Sequence, residues 1–388
     1  MKHFLFKLYQ ISLLIQVCWG AHAWFTWNWD FYSSTQRFLI YFIFVLIAYS
    51  YKLLHKVKIK PNIRNIAIIV FMFFALSMRV STFNGFLFYF MFVLPFYVLL
   101  NDHNSLLHLK FLSQAIAIIF LPGLFFHFFL IPFGIFRGIP IQYGDSTSNL
   151  YNFYNYFVMI VYERNPIRFC SIFLEPGYLG TLVAFLLYSN RYDFKKWYNI
   201  VLLIGLLASL SLAGYITALL GYLLKGQFKR QLLLKRVVLI SLILGGFYYF
   251  ALNYNGGKNI INESIIERLQ LTNDEKIISG NNRVFGNTDE VFEQFIKSGN
   301  IWFGLESVAD EEVFGAGYKV FLLYFGLLTA LLWFLTYLLI CTSCKNKKYG
   351  YVFLFLIILT FLQAAYPSSY AWLIPVILGI RSREKLLL

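Results

Sequence analysis

One pattern recurs along the whole chain: uninterrupted apolar runs, such as residues 66–76, alternate with short stretches that hold almost all of the charge. A helix needs about 20 apolar residues to cross the hydrocarbon core of a bilayer. Hydrophobic residues make up 59% of the 388 positions and charged residues only 13%, which is too few to cover a water-exposed surface. The sequence therefore predicts an integral helical membrane protein and excludes a soluble one. A transmembrane β-barrel is disfavoured, because its strands would alternate apolar and polar residues.

The charges beside the apolar runs predict the direction of each span, because cytoplasmic loops are enriched in Lys and Arg. In the resulting topology, 22 of the 33 Lys and Arg residues lie inside with three acidic residues, and the other 11 lie outside with 15 of the 18 acidic residues. Both termini are expected to be cytoplasmic. The net charge of +15 thus reports membrane topology, and no nucleic-acid partner is expected, since the basic residues are not gathered on one soluble face.

The predicted fold is an all-α polytopic membrane protein with about 12 transmembrane helices in a single domain over residues 1–388. Residues 198–224 and 351–380 are each flanked by basic clusters at both ends, so each must cross an even number of times. We expect each to be a hairpin of two short helices, with breaks near residues 209–214 and 367–369. Two sizeable outer loops are predicted, a medium one over residues 134–174 and a large one over residues 251–317.

The candidate chemistry lies in these outer loops, because the spans are nearly free of ionisable residues. Pro176 is expected to start a helix, which puts Glu175 at its N-cap; capping alone would explain that carboxylate. Arg168 has two interpretations, an anchor to lipid phosphate at the membrane edge or a functional cation. His127, inside a predicted span, is interpreted as a hydrogen-bonded structural residue.

The large outer loop holds 11 of the 18 acidic residues and is too long for a simple connection. Short helices are predicted at residues 265–271 and 288–297, with a turn between them that carries Arg283. The acidic spacing matches no calcium loop, and no metal site is predicted. Neither large outer loop contains a histidine, so a nucleophilic triad is not expected. Arginines and carboxylates remain, which suit phosphate binding and the orientation or deprotonation of a hydroxyl.

The order of these motifs resembles the bacterial O-antigen polymerase and O-antigen ligase superfamily. The resemblance covers most of residues 160–340 and is one of layout more than of identity. It begins with Arg168 and Phe173-Leu174-Glu175-Pro176-Gly177-Tyr178-Leu179-Gly180, followed by Ser209-Leu210-Ser211-Leu212-Ala213-Gly214. It continues with Ser279-Gly280-Asn281-Asn282-Arg283, Trp302-Phe303-Gly304 and Phe314-Gly315-Ala316-Gly317.

The resemblance implies a GT-C-like, metal-independent, inverting glycosyltransferase of the bacterial inner membrane with its active site on the periplasmic side and no cofactor. Its donor and acceptor would be glycans linked to undecaprenyl pyrophosphate, and a chain-length regulator and a flippase are expected partners besides the bilayer. The family's two essential arginines map to Arg168 and Arg283, and Glu175 is the candidate that orients or deprotonates the acceptor hydroxyl. The expected substrate-binding residues are Arg79, Arg137, Arg164, Tyr178, Glu306 and Asp310.

Three alternatives to a repeat-unit polymerase remain open. The ligase branch usually has a histidine just before the span that follows the large loop, and this chain has Glu311-Glu312-Val313-Phe314-Gly315 there, which favours the polymerase. A flippase or exporter of lipid-linked glycans would suit twelve spans, but it should place charges or a broken helix near the bilayer midplane. A receptor-like or structural membrane protein is the third. For the base, an acid among Glu306, Asp310 and Glu311 is as suitable as Glu175.

Overall fold

The fold is described from a computed structural model of the chain. It describes residues 1–28, 34–55, 57, 62–135, 137–143, 151–163, 165–225, 230–259, 262, 284–285, 288–299, 301–305, 314–315, 317–362 and 367–385. The predicted helix at 265–271 and the candidate site residues Arg164, Arg283, Glu306 and Asp310 lie outside these ranges.

Helices dominate the described part of the chain, as the apolar runs predicted. They are α1 (Lys2–Gly20), α2 (Trp24–Asn28), α3 (Ser34–Leu54), α4 (Ile63–Ser77), α5 (Phe83–Leu100), α6 (Ser105–Phe125), α7 (Pro176–Ser189), α8 (Trp197–Ala208), α9 (Leu212–Leu224), α10 (Arg230–Asn253), α11 (Thr288–Lys297), α12 (Tyr318–Thr342), α13 (Lys347–Phe361) and α14 (Tyr370–Lys385). A π-helical turn, Phe126–Leu130, extends α6, and a 3-10 turn, Tyr254–Gly257, follows α10.

The bundle is consistent with a helical membrane protein. Four of its described helices are long and apolar enough to cross a bilayer: Gln36–Leu54, Phe83–Leu100, Ser105–Leu130 and Tyr318–Thr342. Four more are apolar but shorter: Ile63–Ser77, Pro176–Ser189, Trp197–Ala208 and Leu212–Leu224. Large apolar side chains such as Leu39 and Leu46 of α3 and Phe74 of α4 are exposed on the flanks of the bundle. An apolar flank of this kind fits a lipid environment.

Two helices, α7 and α14, occupy the centre of the bundle. Each buries nearly every side chain in its middle turns, and α7 packs against α9, α14 and α8. Around them α1 packs on α14, α6 on α8 and α14, and α4 on α5 and α12. The bundle has two ends, which we name by their content. The termini end holds the start of α1 and the end of α14, and the loop end holds the end of α1 and the start of α14.

The two predicted hairpin breaks coincide with turns between helices. Residues 209–211 separate α8 from α9, and the Ser211 hydroxyl accepts a hydrogen bond from Gly214 N as the N-cap of α9. Residues 362–369 lie between α13 and α14, with Ser369 Oγ donating to Gly20 O at the loop end. Gly180 of α7 and Gly214 of α9 touch, since a Cβ on Gly214 would lie 2.7 Å from the Gly180 Cα.

The prediction of an all-α chain was incomplete, because the medium loop contains a β-sheet. Strands β1 (Ile139–Tyr143), β2 (Tyr151–Asn155) and β3 (Ile160–Tyr162) form an antiparallel meander in which Ile141 pairs with Phe153 and Phe153 with Tyr162. The sequence analysis did not predict strands in this loop, which is rich in Tyr and Asn. Its apolar residues nevertheless alternate, and Phe153 and Ile141 face inward. The sheet packs on α2 through the ring of Trp27, which contacts Phe153.

The described part of the large loop packs on the loop end of α12. The predicted helix at Thr288–Lys297 is confirmed as α11, and its buried Phe295 packs with Val291 and Phe292 against Val320 and Leu323. Strands β4 (Val284–Phe285) and β5 (Phe314–Gly315) pair antiparallel. This pairing joins the residues just after Arg283 to the Phe314-Gly315 motif, about 30 positions later in the chain.

Helix α12 is broken at Gly326, which has the non-helical angles φ 75° and ψ 172°. The break is filled by residues 301–305, which hydrogen-bond to both of its sides. Leu305 N donates to Leu323 O at 2.8 Å, and Leu327 N donates to the carbonyl of residue 301 at 2.8 Å. A break inside an apolar helix leaves backbone groups without partners, so it persists only where other protein groups replace those bonds. The sequence analysis did not predict this break.

We predict that Gly304→Ala destabilises the protein strongly, because φ at Gly304 is +79° and a Cβ there would lie 2.8 Å from the carbonyl oxygens of Leu323 and Tyr324. Gly299→Ala is the matched control: its φ is +73°, but nothing lies within 4 Å of the added Cβ. The control should cost about 1 kcal/mol through backbone strain alone. Thermal unfolding in detergent measures both variants, and equal losses would show that residues 301–305 do not close the break.

A buried polar network joins α3, α6 and the connection before α6 at the termini end. His108 Nε2 lies 2.7 Å from Asp102 Oδ2, and both side chains are 0% exposed. The Tyr51 hydroxyl donates to Asp102 Oδ1 at 3.0 Å, and the ring of Tyr9 stacks on Tyr51 at 4.3 Å. Burial alone would raise the pKa of the Asp102 carboxyl, but the hydrogen bond and charge of His108 hold it below its usual value. The carboxyl of Asp102 is therefore ionised, and the network fixes three segments together.

Asp102→Asn should destabilise the protein by about 3 kcal/mol or more, because it leaves the buried His108 without its counter-charge. Glu293→Gln is the control, since Glu293 pairs with Lys297 at 3.8 Å with both side chains more than 70% exposed, and such pairs contribute little. Denaturant unfolding of the detergent-solubilised variants gives the comparison. A loss of stability no greater for Asp102→Asn than for the control would remove the network as a fold determinant.

Candidate functional site

The segment at residues 168–175, which we call the site segment, is held at both ends by backbone hydrogen bonds. Near its start, Phe169 N donates to Ala208 O at 3.0 Å, at the end of α8. Near its end, Leu174 N donates to His22 O at 3.1 Å, in the connection between α1 and α2. The site segment therefore runs from the α8–α9 turn to the α1–α2 connection across the loop end, and it places Arg168 at one end and Glu175 at the other.

Arg168 binds two carbonyl groups of the turn that follows α8. Its Nε donates to Ser209 O at 3.3 Å and its Nη2 donates to Leu210 O at 3.3 Å. A cation at a helix C-terminus is favourable, because the last carbonyls carry partial negative charge. These two hydrogen bonds fix the guanidinium in the α8–α9 turn. The guanidinium is half-buried, so its position is set by the hairpin while part of it stays accessible.

Glu175 occupies the N-cap position of α7, as predicted, and Pro176 is the first residue of that helix. The backbone of Glu175 is extended, with φ −134° and ψ 147°, but its side chain makes no capping hydrogen bond and is exposed. Capping therefore does not account for this carboxylate. It lies exposed at the positive end of α7.

Cys170 lies between these two residues and is inert. Burial raises the pKa of the Cys170 thiol to about 12, while the charge of Arg168 acts to lower it and that of Glu175 to raise it. The thiol stays neutral at physiological pH, so it is not a nucleophile. Both charges therefore contribute to the electrostatics at this one thiol.

His22 is a neighbour of the site that the sequence analysis missed. Its ring centroid lies 5.3 Å from that of Tyr178 in the first turns of α7, and Tyr178 is in turn parallel to Trp372 at 6.3 Å. Burial lowers the pKa of His22 to about 4, so the imidazole is neutral at pH 7. Helix α1 ends at Gly20 and leaves His22 in the connection to α2. Only the fold shows that this connection touches α7.

The other predicted residues are placed apart from Arg168 or lie outside the described ranges. Arg79, just after α4, donates through Nη1 to Tyr324 O and through Nη2 to Leu305 O, and so holds the break in α12. Arg137 is exposed just before β1. Within the described ranges, no hydrogen bond or ion pair joins either residue to Arg168 or Glu175. The convergence of Arg168 with Arg283 stays a prediction, because Arg283 is not among the described residues.

His127 hydrogen-bonds the backbone at Ile167, next to Arg168, and its ring lies 5.5 Å from that of Phe169. This agrees with its interpretation as a structural histidine. Cys18, Cys170, Cys341 and Cys344 are all free and buried. Among the residues that the structure describes, no group of three or more His, Cys, Asp or Glu side chains is arranged to hold a metal ion.

Comparison of the chain with models of protein families, with curated proteins and with solved structures finds no match.

We predict a pH dependence of stability that originates from His22. Between pH 6.5 and about 4 the unfolded chain binds a proton at His22 and the folded chain does not, so stability should fall as the pH falls through this window and be unaffected by His22 above it. The His22→Gln variant should lose this part of the slope in melting temperature against pH. His103→Gln, at an exposed position, is the control, and an unchanged slope in His22→Gln would show that His22 is not buried as described.

Proposed function

We propose that this protein is a glycosyltransferase that joins oligosaccharide repeat units linked to undecaprenyl pyrophosphate at the outer face of a bacterial inner membrane. The observation that carries the proposal is the site segment, which presents a fixed guanidinium, Arg168, and an exposed carboxylate, Glu175, at the same end of an apolar bundle. Arginine's planar fork suits phosphate oxygens, and a carboxylate suits a hydroxyl. The loop end is taken as the periplasmic side, with twelve spans and both termini in the cytoplasm.

Contacts between the motifs on which the resemblance rests support the proposal. The motif at residues 173–180 touches the motif at residues 209–214 through Gly180 and Gly214, and Arg168 binds the turn that begins the second motif. Residues 302–304 fill the break in α12, and the strand after Arg283 pairs with Phe314-Gly315. These segments are far apart in sequence and are joined at one end of the bundle.

The proposed reaction is a single displacement. A hydroxyl of the acceptor glycan attacks the anomeric carbon of the donor glycan, the bond from that carbon to the diphosphate oxygen breaks, and the lipid diphosphate leaves with the electron pair. Arg168, with Arg283 in the proposed site, stabilises the negative charge that develops on the leaving group. Glu175 orients the attacking hydroxyl and accepts its proton. One displacement at the anomeric carbon inverts its configuration.

The flippase or exporter alternative gains one observation, because α12 is a broken helix of the kind that transporters use. The break, however, lies eight residues into the 25-residue helix, and its backbone groups are bonded to residues 301–305 and to Arg79. A substrate-binding break would leave those groups for the substrate. We therefore keep transport as the second candidate. Proteoliposomes that move a fluorescent lipid-linked glycan across the bilayer would favour it over the transferase.

The transferase is tested with purified protein and a lipid-linked repeat unit, which should yield a ladder of longer glycans without nucleotide sugar and with chelator present. Arg168→Lys should reduce the rate about 100-fold or more, because a lysine keeps the charge but loses the fork of donors. Lys297→Ala, an exposed cation on α11, is the control and should keep the full rate.

Folding of each variant is followed by its elution profile and melting temperature, since Arg168 also supports the α8–α9 turn. A full ladder from a folded Arg168→Lys variant would remove Arg168 from the mechanism. Transfer of the glycan to an added acceptor that carries no undecaprenyl pyrophosphate, with release of the lipid diphosphate and without elongation, would favour the ligase.

A further inference from the structure

A second feature of the loop end is a cavity of about 310 Å³, which we call the aromatic cavity. It lies between α1, α3, α4, α5, α12 and α14, and rings such as Tyr41, Phe92 and Phe325 form most of its wall. Polar side chains are confined to a few positions: His22, Thr26, Arg37, Thr329, Ser368 and Ser369. The cavity is distinct from the surroundings of Arg168. The site segment contacts the connection that carries His22 through Leu174, at the end of the segment opposite to Arg168.

Arg37 supplies the positive charge of the aromatic cavity. It lies in the first turn of α3, is half-buried, and acts electrostatically on the hydroxyls of Tyr41 and Tyr89. His22 is neutral at pH 7 and adds no charge. The described wall holds no Asp or Glu. A partly desolvated guanidinium among aromatic rings favours an anion with oxygen acceptors.

Thr329 is a second, independent indication of a ligand in the aromatic cavity. This residue lines the cavity and is only 1% exposed, and its hydroxyl has no hydrogen-bond partner among the described residues. A buried hydroxyl without a partner is costly, and a ligand oxygen would remove the cost.

An apolar groove of about 260 Å³ lies between α12 and α13, and Trp333 lines both this groove and the aromatic cavity. The other groove residues include Leu331, Phe334 and Ile358, each about 40% exposed on the flank of the bundle. The groove contributes no charged side chain. The aromatic cavity is small and contains a cation, and the groove beside it is apolar. The two therefore match the polar head and the apolar tail of an amphiphile.

We propose that the aromatic cavity and the α12–α13 groove bind one phosphate-headed lipid, with the phosphate at Arg37 and Thr329 and a hydrocarbon chain along the groove past Trp333. The volume of the cavity lies at the lower limit of ligand pockets, which suits a phosphate with a small substituent. Neither Arg168 nor Glu175 lines the cavity, so this proposal does not depend on the proposed transferase activity.

The test is native mass spectrometry of the full chain in detergent, with added phosphatidic acid, the matching neutral diacylglycerol, or inorganic phosphate. One phosphatidic acid per chain should bind, and diacylglycerol should bind at least tenfold more weakly, because it lacks the charge that pairs with Arg37. Inorganic phosphate alone should not displace the lipid, since it lacks the chain. Equal binding of diacylglycerol, or displacement by phosphate alone, would overturn the proposal.

Two variants localise the site. Arg37→Gln should weaken phosphatidic acid binding at least tenfold, and Thr329→Val, which keeps the shape and removes the hydroxyl, should weaken it about fivefold. Lys258→Gln removes one charge from an exposed position at the same end and should bind like the parent. If Arg37→Gln does not fold, Thr329→Val and the lipid comparison still decide. If Thr329→Val and a folded Arg37→Gln variant both bind phosphatidic acid like the parent, the assignment is refuted.

Discussion

The structure depends on one constraint: every backbone group released where a helix stops inside the apolar bundle must find a new partner, because lipid and apolar side chains supply none. The chain meets it in three places at the loop end. Residues 301–305 bond to both sides of the break in α12, Arg168 binds the carbonyls at the end of α8, and the site segment bonds to the connection after α1. These contacts bring segments distant in sequence together at the loop end, where Arg168 and Glu175 lie.

The same constraint explains why two arginines lie where they do. Arg79 and Arg168 both donate to backbone carbonyls beside a helix break or a helix end, so each has a structural partner before any substrate arrives. For Arg79, the carbonyls of Tyr324 and Leu305 explain its position without a substrate. Arg168 is partly exposed, and the exposed carboxylate of Glu175 lies at the other end of the site segment. The transferase proposal assigns Arg168 a further role. Structural support and function are therefore not alternatives at Arg168, since a fixed guanidinium is a better electrostatic catalyst than a mobile one.

The helices could be predicted residue by residue where the signal was local. The predicted spans fall on helices, and the predicted and observed ends agree for α5 (Phe83–Leu100) and α11 (Thr288–Lys297). They agree because the length of an apolar run, the turn residues and the capping residues are all properties of neighbours in sequence. The sheet at β1–β3 was missed, because Tyr and Asn in a charged loop resemble irregular structure. The break at Gly326 was missed because a single glycine in an apolar run is usually tolerated, and its partner lies more than 20 residues away.

The sequence by itself determined that the chain is apolar and helical, where most helices begin and end, and which arginine and carboxylate flank the start of α7. It did so because hydrophobic periodicity and helix signals are local properties of the chain. Only the tertiary structure decided that His22 contacts Tyr178, that Arg37 and the unpartnered Thr329 hydroxyl face one cavity, and that Arg79 closes a broken helix. These contacts join residues up to about 300 positions apart, and their energy comes from packing and desolvation, which no local pattern encodes.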